Sequence, residues 1–90
     1  MTYEEAVEKF PIGSRYRHYK GNCYEIIAIG LNADTEPPEP MIVYRALYGK
    51  GLIWVKSVSE WIKPVEYNSI TCEDKYTYKT MIERYARIKD

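Results

Sequence analysis

A chain of 90 residues is long enough to bury one small hydrophobic core and too short for two. Its 13 basic and 13 acidic residues cancel, which argues against the strongly basic balance of a dedicated nucleic-acid-binding domain. No apolar run approaches the ~20 residues that span a bilayer. Residues 1–10 alternate charged with apolar side chains, so we expect no signal peptide, no membrane partner and a soluble protein.

The cysteine and histidine content limits the chemistry that this chain can support. Cys23 and Cys72 have neither the spacing of zinc ligands nor the density of a disulfide framework, so we expect free thiols in a reducing cytoplasm. His18 is the only histidine, which argues against a multi-histidine metal site. The sequence therefore predicts a cytoplasmic protein that is not an enzyme and that has no metal, no cofactor and no catalytic residues.

The first predicted element is a short helix near the start of the chain. Residues 2–5 have the form of a capping box, in which Thr2 and Glu5 bond to each other's backbone. An apolar stripe follows at helical spacing, formed by Tyr3, Ala6, Val7 and Phe10. Pro11 and Gly13 are expected to end this helix.

Two strands joined by a tight turn follow the helix. We predict strands over 14–20 and 23–30, with Gly21 and Asn22 as the two central residues of a type II′ hairpin turn. This register places Tyr19 opposite Tyr24 and His18 opposite Glu25. A carboxylate opposite His18 would favour the protonated imidazole and raise its pKa.

Three further strands are predicted after a proline-rich loop over 31–40. In the clearest strand, 41–48, Tyr44, Ala46 and Tyr48 share one face with Ile42, while Arg45 lies on the other. Short strands over 52–55 and 62–67 flank a helical turn that carries Trp61, which we expect in the core. Five short strands predict a mainly β (α+β) domain over 1–66, an antiparallel barrel with a short N-terminal helix.

The last segment, 67–90, is predicted to form a C-terminal helical extension. Its apolar residues recur at the spacing of an amphipathic helix: Tyr78, Met81, Ile82, Tyr85 and Ile88. Such a stripe must be buried against the barrel or against a second copy. The chain is therefore expected to be a monomer or a homodimer formed through this helix.

Two segments that alternate aromatic with cationic side chains and end at glycine carry the candidate site. They are YRHYKG over 16–21 and VYRALYG over 43–49. If both lie in one sheet, their rings and charges converge on one surface. The candidate ligand-binding residues are Arg17, His18, Tyr19, Lys20, Tyr24, Tyr44, Arg45, Tyr48 and Trp54.

These motifs also carry a family resemblance. The patterns GxxYRHYKGNxYE over 13–25, VYRALYG over 43–49 and LxWV over 52–55 resemble the bacterial family called domain of unknown function 1653. The resemblance spans about residues 10–66 and leaves the predicted terminal helix outside the domain. It implies a small SH3-like five-stranded barrel and brings no established activity, substrate or cofactor.

Two binding functions stay open. A protein or peptide partner would contact the tyrosine and tryptophan rings, as extended segments do in aromatic-lined grooves. Alternatively, Arg15, Arg17, Lys20 and Arg45 would hold the phosphates of a nucleic acid or a nucleotide-like small molecule while the rings stack on bases. We expect the first, an uncharacterised non-catalytic binding module, because the net charge is zero.

Overall fold

The computed structural model describes residues 1–70 and 77–89, with side chains over 1–66 and 81–89. Within these ranges the chain forms two short helices and seven strands. The helices are α1 (Tyr3–Lys9) and α2 (Val58–Trp61). The strands are β1 (Arg15–His18), β2 (Cys23–Asn32), β3 (Glu39–Ala46), β4 (Ile53–Ser57), β5 (Val65–Ile70), β6 (Thr77–Ile82) and β7 (Tyr85–Arg87).

Five of these strands form one antiparallel sheet in the order β4-β3-β2-β1-β7. The predicted mainly β fold with a five-stranded antiparallel sheet is confirmed. The predicted closed barrel is wrong, because β4 and β7 are the two edges of the sheet and do not pair with each other. The segment expected to close the barrel, 62–67, instead contributes to β5, which pairs with β6 in a separate two-stranded sheet.

The predicted C-terminal helix is also wrong in the part of 67–90 that the structure describes. Residues 77–82 and 85–87 are strands, and β7 pairs with β1. Threonine, isoleucine and tyrosine, which are frequent here, favour strands, and the edge of β1 supplies hydrogen bonds and a partner surface that an isolated helix lacks. The proposed dimer through a C-terminal helix loses its basis, while the division at residue 66 stays a prediction.

The N-terminal helix forms as predicted. The Glu5 N–H donates to Thr2 Oγ1 at 3.2 Å, and the Thr2 N–H donates to Glu5 Oε1 at 3.1 Å, which completes the capping box. These hydrogen bonds to Thr2 lower the pKa of the Glu5 carboxyl. Only Ala6 and Phe10 of the predicted apolar stripe are fully buried. The helix therefore rests on the sheet along a narrow line.

The first hairpin has a different register from the predicted one. Tyr24 lies opposite Tyr16, three residues from the expected partner Tyr19. The chain reverses over a three-residue loop, because the His18 N–H donates to Asn22 O at 2.7 Å. Gly21 is the last residue of this loop, and its φ of +109° belongs to the region that favours glycine. The glycine therefore ends the turn, whereas the prediction had it begin the turn.

The core lies on one face of the five-stranded sheet, where α1 and α2 cover it. Its buried members are Ala6, Phe10, Tyr16, Ile26, Ile42, Tyr44, Val58, Trp61 and Tyr85. Trp61 is only 2% exposed, which confirms its predicted core position. Its ring meets Tyr16 edge to face with centroids 5.5 Å apart, and Tyr44 in the same way at 5.0 Å. Aromatic contacts thus provide much of the packing in this small core.

Candidate binding site

A cavity of about 260 Å³, here called the aromatic cavity, opens on the same face of the sheet as the core. Directly opposite residues of an antiparallel sheet share a face, so the pairing of the strands decides which side chains reach the cavity. The relevant pairs are His18 with Tyr85, Tyr44 with Trp54, and Ile42 with Lys56. The lining residues are His18, Tyr24, Tyr44, Tyr48, Trp54, Lys56 and Tyr85.

Tyr24 is the hub of the ring contacts in the aromatic cavity. Its ring meets the ring of Tyr44 with centroids 5.2 Å apart and an interplanar angle of 81°. It meets Tyr48 at 5.6 Å and 77°, and Tyr85 at 6.0 Å and 72°. All three contacts are edge-to-face, the arrangement that aromatic quadrupoles favour. The rings therefore hold one another in place before any ligand arrives.

The hydroxyls of Tyr24 and Tyr44 keep their protons at neutral pH. The hydroxyls of Tyr24 and Tyr48 are 2.9 Å apart and share a hydrogen bond. Burial, together with this bond, raises the pKa of Tyr24 well above its usual value. Burial and the neighbouring Tyr85 raise the pKa of Tyr44 to about 12. The cavity thus presents neutral hydroxyls that can donate hydrogen bonds.

Lys56 and Tyr85 form the polar end of the cavity. Lys56 Nζ donates to the Tyr85 hydroxyl at 3.0 Å and lies 5.2 Å from the centroid of the same ring. The aliphatic stem of a lysine adds apolar contact to the charge of its ammonium group. Burial raises the pKa of the Tyr85 hydroxyl, so this group stays neutral beside the ammonium. An anionic or carbonyl oxygen entering the cavity would find a positioned cation here.

His18 has an environment opposite to the predicted one. Glu25 lies opposite Arg15, so the expected His18–Glu25 pair does not form. Burial lowers the pKa of His18, and Lys56, Arg84 and Lys20 lower it further. The backbone N–H of Lys20 donates to His18 Nδ1 at 3.2 Å, which assigns the proton of the neutral imidazole to Nε2.

The structure brings together five of the nine predicted site residues in the lining of one cavity and leaves the other four outside that lining. His18, Tyr24, Tyr44, Tyr48 and Trp54 line the aromatic cavity. Tyr19 and Lys20 lie in the exposed hairpin loop beside it, with Lys20 Nζ 5.8 Å from the Tyr19 ring centroid. Because side chains alternate along a strand, Arg17 and Arg45 point to the opposite face of the sheet. The cations near the rings are lysines rather than these arginines.

Two lining residues, Lys56 and Tyr85, were missed by the sequence reasoning. Lys56 follows Trp54 by two residues on the same strand, so period-two alternation could have placed both on one face. Tyr85 was assigned to a helix, and no local signal places it beside His18. That neighbourhood exists only because β7 pairs with β1.

The lining chemistry favours an acceptor-rich or anionic ligand with a flat or apolar part. None of the seven lining residues that the structure describes is acidic. Among the side chains it describes, no three His, Cys, Asp or Glu residues come together in a group that could hold a metal ion. The cavity offers one ammonium group, several hydroxyl donors and a wall of rings.

These features define a small, mainly β domain with an aromatic cavity on the face of an open antiparallel sheet. The chain belongs to the family described as Protein of unknown function (DUF1653), whose model matches residues 14–86. The family domain therefore extends beyond residue 66, where the resemblance was expected to end, and includes β5 and β6. No curated protein and no solved structure matched the chain. Neither helix among the described residues has the length and apolarity needed to cross a bilayer.

Proposed function

We propose that this protein is a non-catalytic binding module that takes an extended segment of a partner protein in the aromatic cavity. The observation that supports it most strongly is the convergence around one cavity of Tyr24 from β2, Tyr44 and Tyr48 from the motif segment 43–49, and Trp54 from β4. Rings that are already packed lose little conformational freedom when a ligand binds. Grooves lined by such rings are a recurrent means of recognising extended peptides.

Two of the rings in the aromatic cavity leave apolar surface exposed that a ligand could bury. Tyr48 and Trp54 are each nearly half exposed, at 45% and 49%, whereas Tyr44 is buried beneath them at 6%. A ligand segment that covers the two outer rings would bury their apolar area and leave the inner ring as a rigid floor. Lys56 would pair with a carbonyl or an acidic side chain of the same segment.

Protonation states favour recognition over catalysis at this site. The pKa values of Tyr24, Tyr44 and Tyr85 are raised, so these phenols are poor bases and poor nucleophiles near neutral pH. His18 already accepts a hydrogen bond from the backbone at Nδ1. The lining groups are therefore suited to donating hydrogen bonds to a ligand.

Selection from a phage-displayed library of random peptides tests this function. Peptides enriched on the immobilised wild type are expected to bind the Trp54→Ala variant ~10-fold more weakly, because a half-exposed ring that anchors a ligand contributes about 1.4 kcal/mol or more. Trp54→Phe keeps an aromatic ring and serves as the matched control. If selected peptides bind wild type and Trp54→Ala equally, the rings do not form the binding site.

A second candidate, a phosphorylated nucleotide-like small molecule, is supported by the charge around His18. Lys20, Lys56 and Arg84 all act on this imidazole, so the rim of the cavity is electropositive. Titration with adenosine monophosphate, followed by tryptophan fluorescence, tests this alternative, because Trp54 lines the cavity while Trp61 is already buried. Phosphate-driven binding weakens log-linearly as salt rises, whereas ring-driven peptide binding changes little.

A further inference from the structure

Strand β4 is an edge of the main sheet with an unusually apolar surface. Among the described strands it pairs with β3 alone. Leu52, just before the strand, and the first three strand residues are all large, apolar and exposed, at 55% for Leu52, 49% for Ile53, 49% for Trp54 and 59% for Val55. Soluble proteins usually protect such edges with charges, prolines or bulges, and positions 52–55 carry neither a charge nor a proline. The charged residue of β4 is Lys56, which lines the aromatic cavity.

The pairing with β3 determines which backbone groups of β4 point outward. The Ala46 N–H donates to Leu52 O at 2.9 Å, so this pair is hydrogen-bonded to β3. Hydrogen-bonded pairs alternate along an antiparallel ladder, so Trp54 and Lys56 also bond towards β3. The N–H and C=O groups of Ile53 and Val55 therefore face away from β3, in the direction from which another strand could pair with β4.

We propose that a second copy of this chain pairs with β4 in an antiparallel, two-fold symmetric arrangement centred on Trp54. In this register Ile53 of each copy lies opposite Val55 of the other, and the outward N–H and C=O groups of both residues meet their counterparts. The two Trp54 side chains face each other across the axis as a non-hydrogen-bonded pair, in which side chains are closest. In such a two-fold dimer the same surface of each copy supplies hydrogen-bond partners to the outward backbone groups of the other.

Side-chain complementarity favours this register over one centred on Val55, and the apolar surface suits a second copy as the occupant. Centring the axis on Val55 would place Ile53 opposite Ser57 and Trp54 opposite Lys56, so that each apolar residue meets a polar one. Centring it on Trp54 makes the three central pairs apolar, with Trp54 opposite Trp54 and Ile53 opposite Val55 on each side, which buries more apolar surface. Leu52 then lies opposite Lys56, whose aliphatic stem can pack against it. The exposed side chains at 52–55 are uncharged, so they do not favour a charged partner strand. The net charge of the chain is zero, so two copies do not repel each other electrostatically overall.

The proposed dimer also places the aromatic cavities of the two copies next to each other. Trp54 lines the aromatic cavity, so a Trp54 pair on the axis places the two cavities side by side on one face of a ten-stranded sheet. The second copy would then contribute its Trp54 to the border of the site. The pairing itself does not depend on which ligand the cavity takes.

Sedimentation equilibrium of the full chain over a range of concentrations tests the pairing. We expect the wild type to approach twice the monomer mass of 10.6 kDa. Val55→Lys should remain monomeric where the wild type is dimeric, because it places an ammonium group opposite Ile53. Val55→Thr keeps the branched shape and is expected to dimerise. Ile53→Lys, on the same face, gives an independent second test, and circular dichroism verifies that each variant folds.

Tryptophan fluorescence reports on the centre of the pairing. Trp61 is already buried, so a concentration-dependent blue shift in emission must come from Trp54. Trp54→Phe should remove this shift. A wild type that stays monomeric at all concentrations, or a Val55→Lys variant that dimerises as the wild type does, would overturn the proposal. Residues 53 and 55 lie on the face opposite the cavity. A variant at either position that no longer dimerises but still binds the selected peptides would therefore separate the dimer from the binding function.

Discussion

The ring of Tyr85 lies flat against the indole of Trp61, with centroids 3.7 Å apart and planes inclined by only 7°. Tyr85 comes from the edge strand β7 and Trp61 from the short helix α2. Tyr85 lines the aromatic cavity and also a second cavity of about 250 Å³, which Trp61 lines as well. The stack thus couples the last described strand to the core and forms part of the wall of the candidate site.

This stack makes Tyr85 important for stability. Tyr85→Ala removes a buried ring and is expected to lower the free energy of unfolding by ~3 kcal/mol or more. Tyr85→Phe keeps the stack and loses only the hydroxyl that accepts from Lys56, at a cost of about 1 kcal/mol. Urea denaturation of both variants measures the difference. Equal losses would mean that the stack contributes nothing beyond the hydroxyl.

His18 should titrate below the usual histidine range. Burial and the surrounding cations lower its pKa from 6.5, so the unfolded chain binds the proton more readily than the folded one. The contribution of His18 to stability is therefore complete above about pH 6.5 and is lost as the pH falls through the folded pKa. The chain has one histidine, so a single imidazole signal in an NMR titration gives this value directly.

Removal of a nearby cation should move that titration. Lys56→Met is expected to raise the pKa of His18, because the ammonium group that disfavours protonation is gone. Lys50→Met, in the turn between β3 and β4, is the matched control, since Lys50 is not among the groups that shift this pKa. A His18 midpoint above 6.5 in the wild type would contradict the burial that the structure gives it.

Buried phenols predict a loss of stability at high pH. The folded pKa values of Tyr24 and Tyr44 are raised above the unfolded value of about 10, so the neutral hydroxyls stabilise the fold below that pH. This stabilisation is lost as the pH rises from about 10 through the folded pKa values. Ultraviolet titration should find late-ionising tyrosines, and Tyr48→Phe should lower the pKa of Tyr24 by removing its hydrogen-bond partner. Ionisation of all tyrosines near pH 10 in the folded protein would refute this prediction.

Gly21 should resist substitution for reasons of backbone conformation alone. A Cβ at this position meets nothing within 4 Å, yet the φ of +109° strains any other residue. Gly21→Ala is therefore expected to cost roughly 1–3 kcal/mol in thermal or urea unfolding. Gly30→Ala is the control, because Gly30 has equal space and no positive φ. Equal stability of the two variants would show that the hairpin loop relaxes freely.

The strongest local patterns predicted their own elements well. The capping box placed α1, and the period-two alternation of β3 placed Tyr44 on the same face as Ile42 and Arg45 on the opposite one. The burial of Tyr44 was not predicted, because its ring was expected to be exposed to a ligand. Five of the predicted site residues also reach one cavity, because the strand faces follow from the same alternation. A capping box and a strand alternation each arise from residues that are close in the sequence, so both can be recognised without knowing the tertiary structure.

Pairing between distant segments was decided only in three dimensions. The spacing of Tyr85 fitted a helix as well as a strand, and the free edge of β1 made the strand the better solution. That choice left the barrel open and brought Tyr85 to His18, while the alternation of strand faces kept Arg17 away from the rings. By itself the sequence determined the type and the face pattern of the segments with strong local signals, such as α1 and β3. The tertiary structure decided which segments became partners, because the burial and hydrogen bonds that distinguish alternatives arise only after the chain has come together.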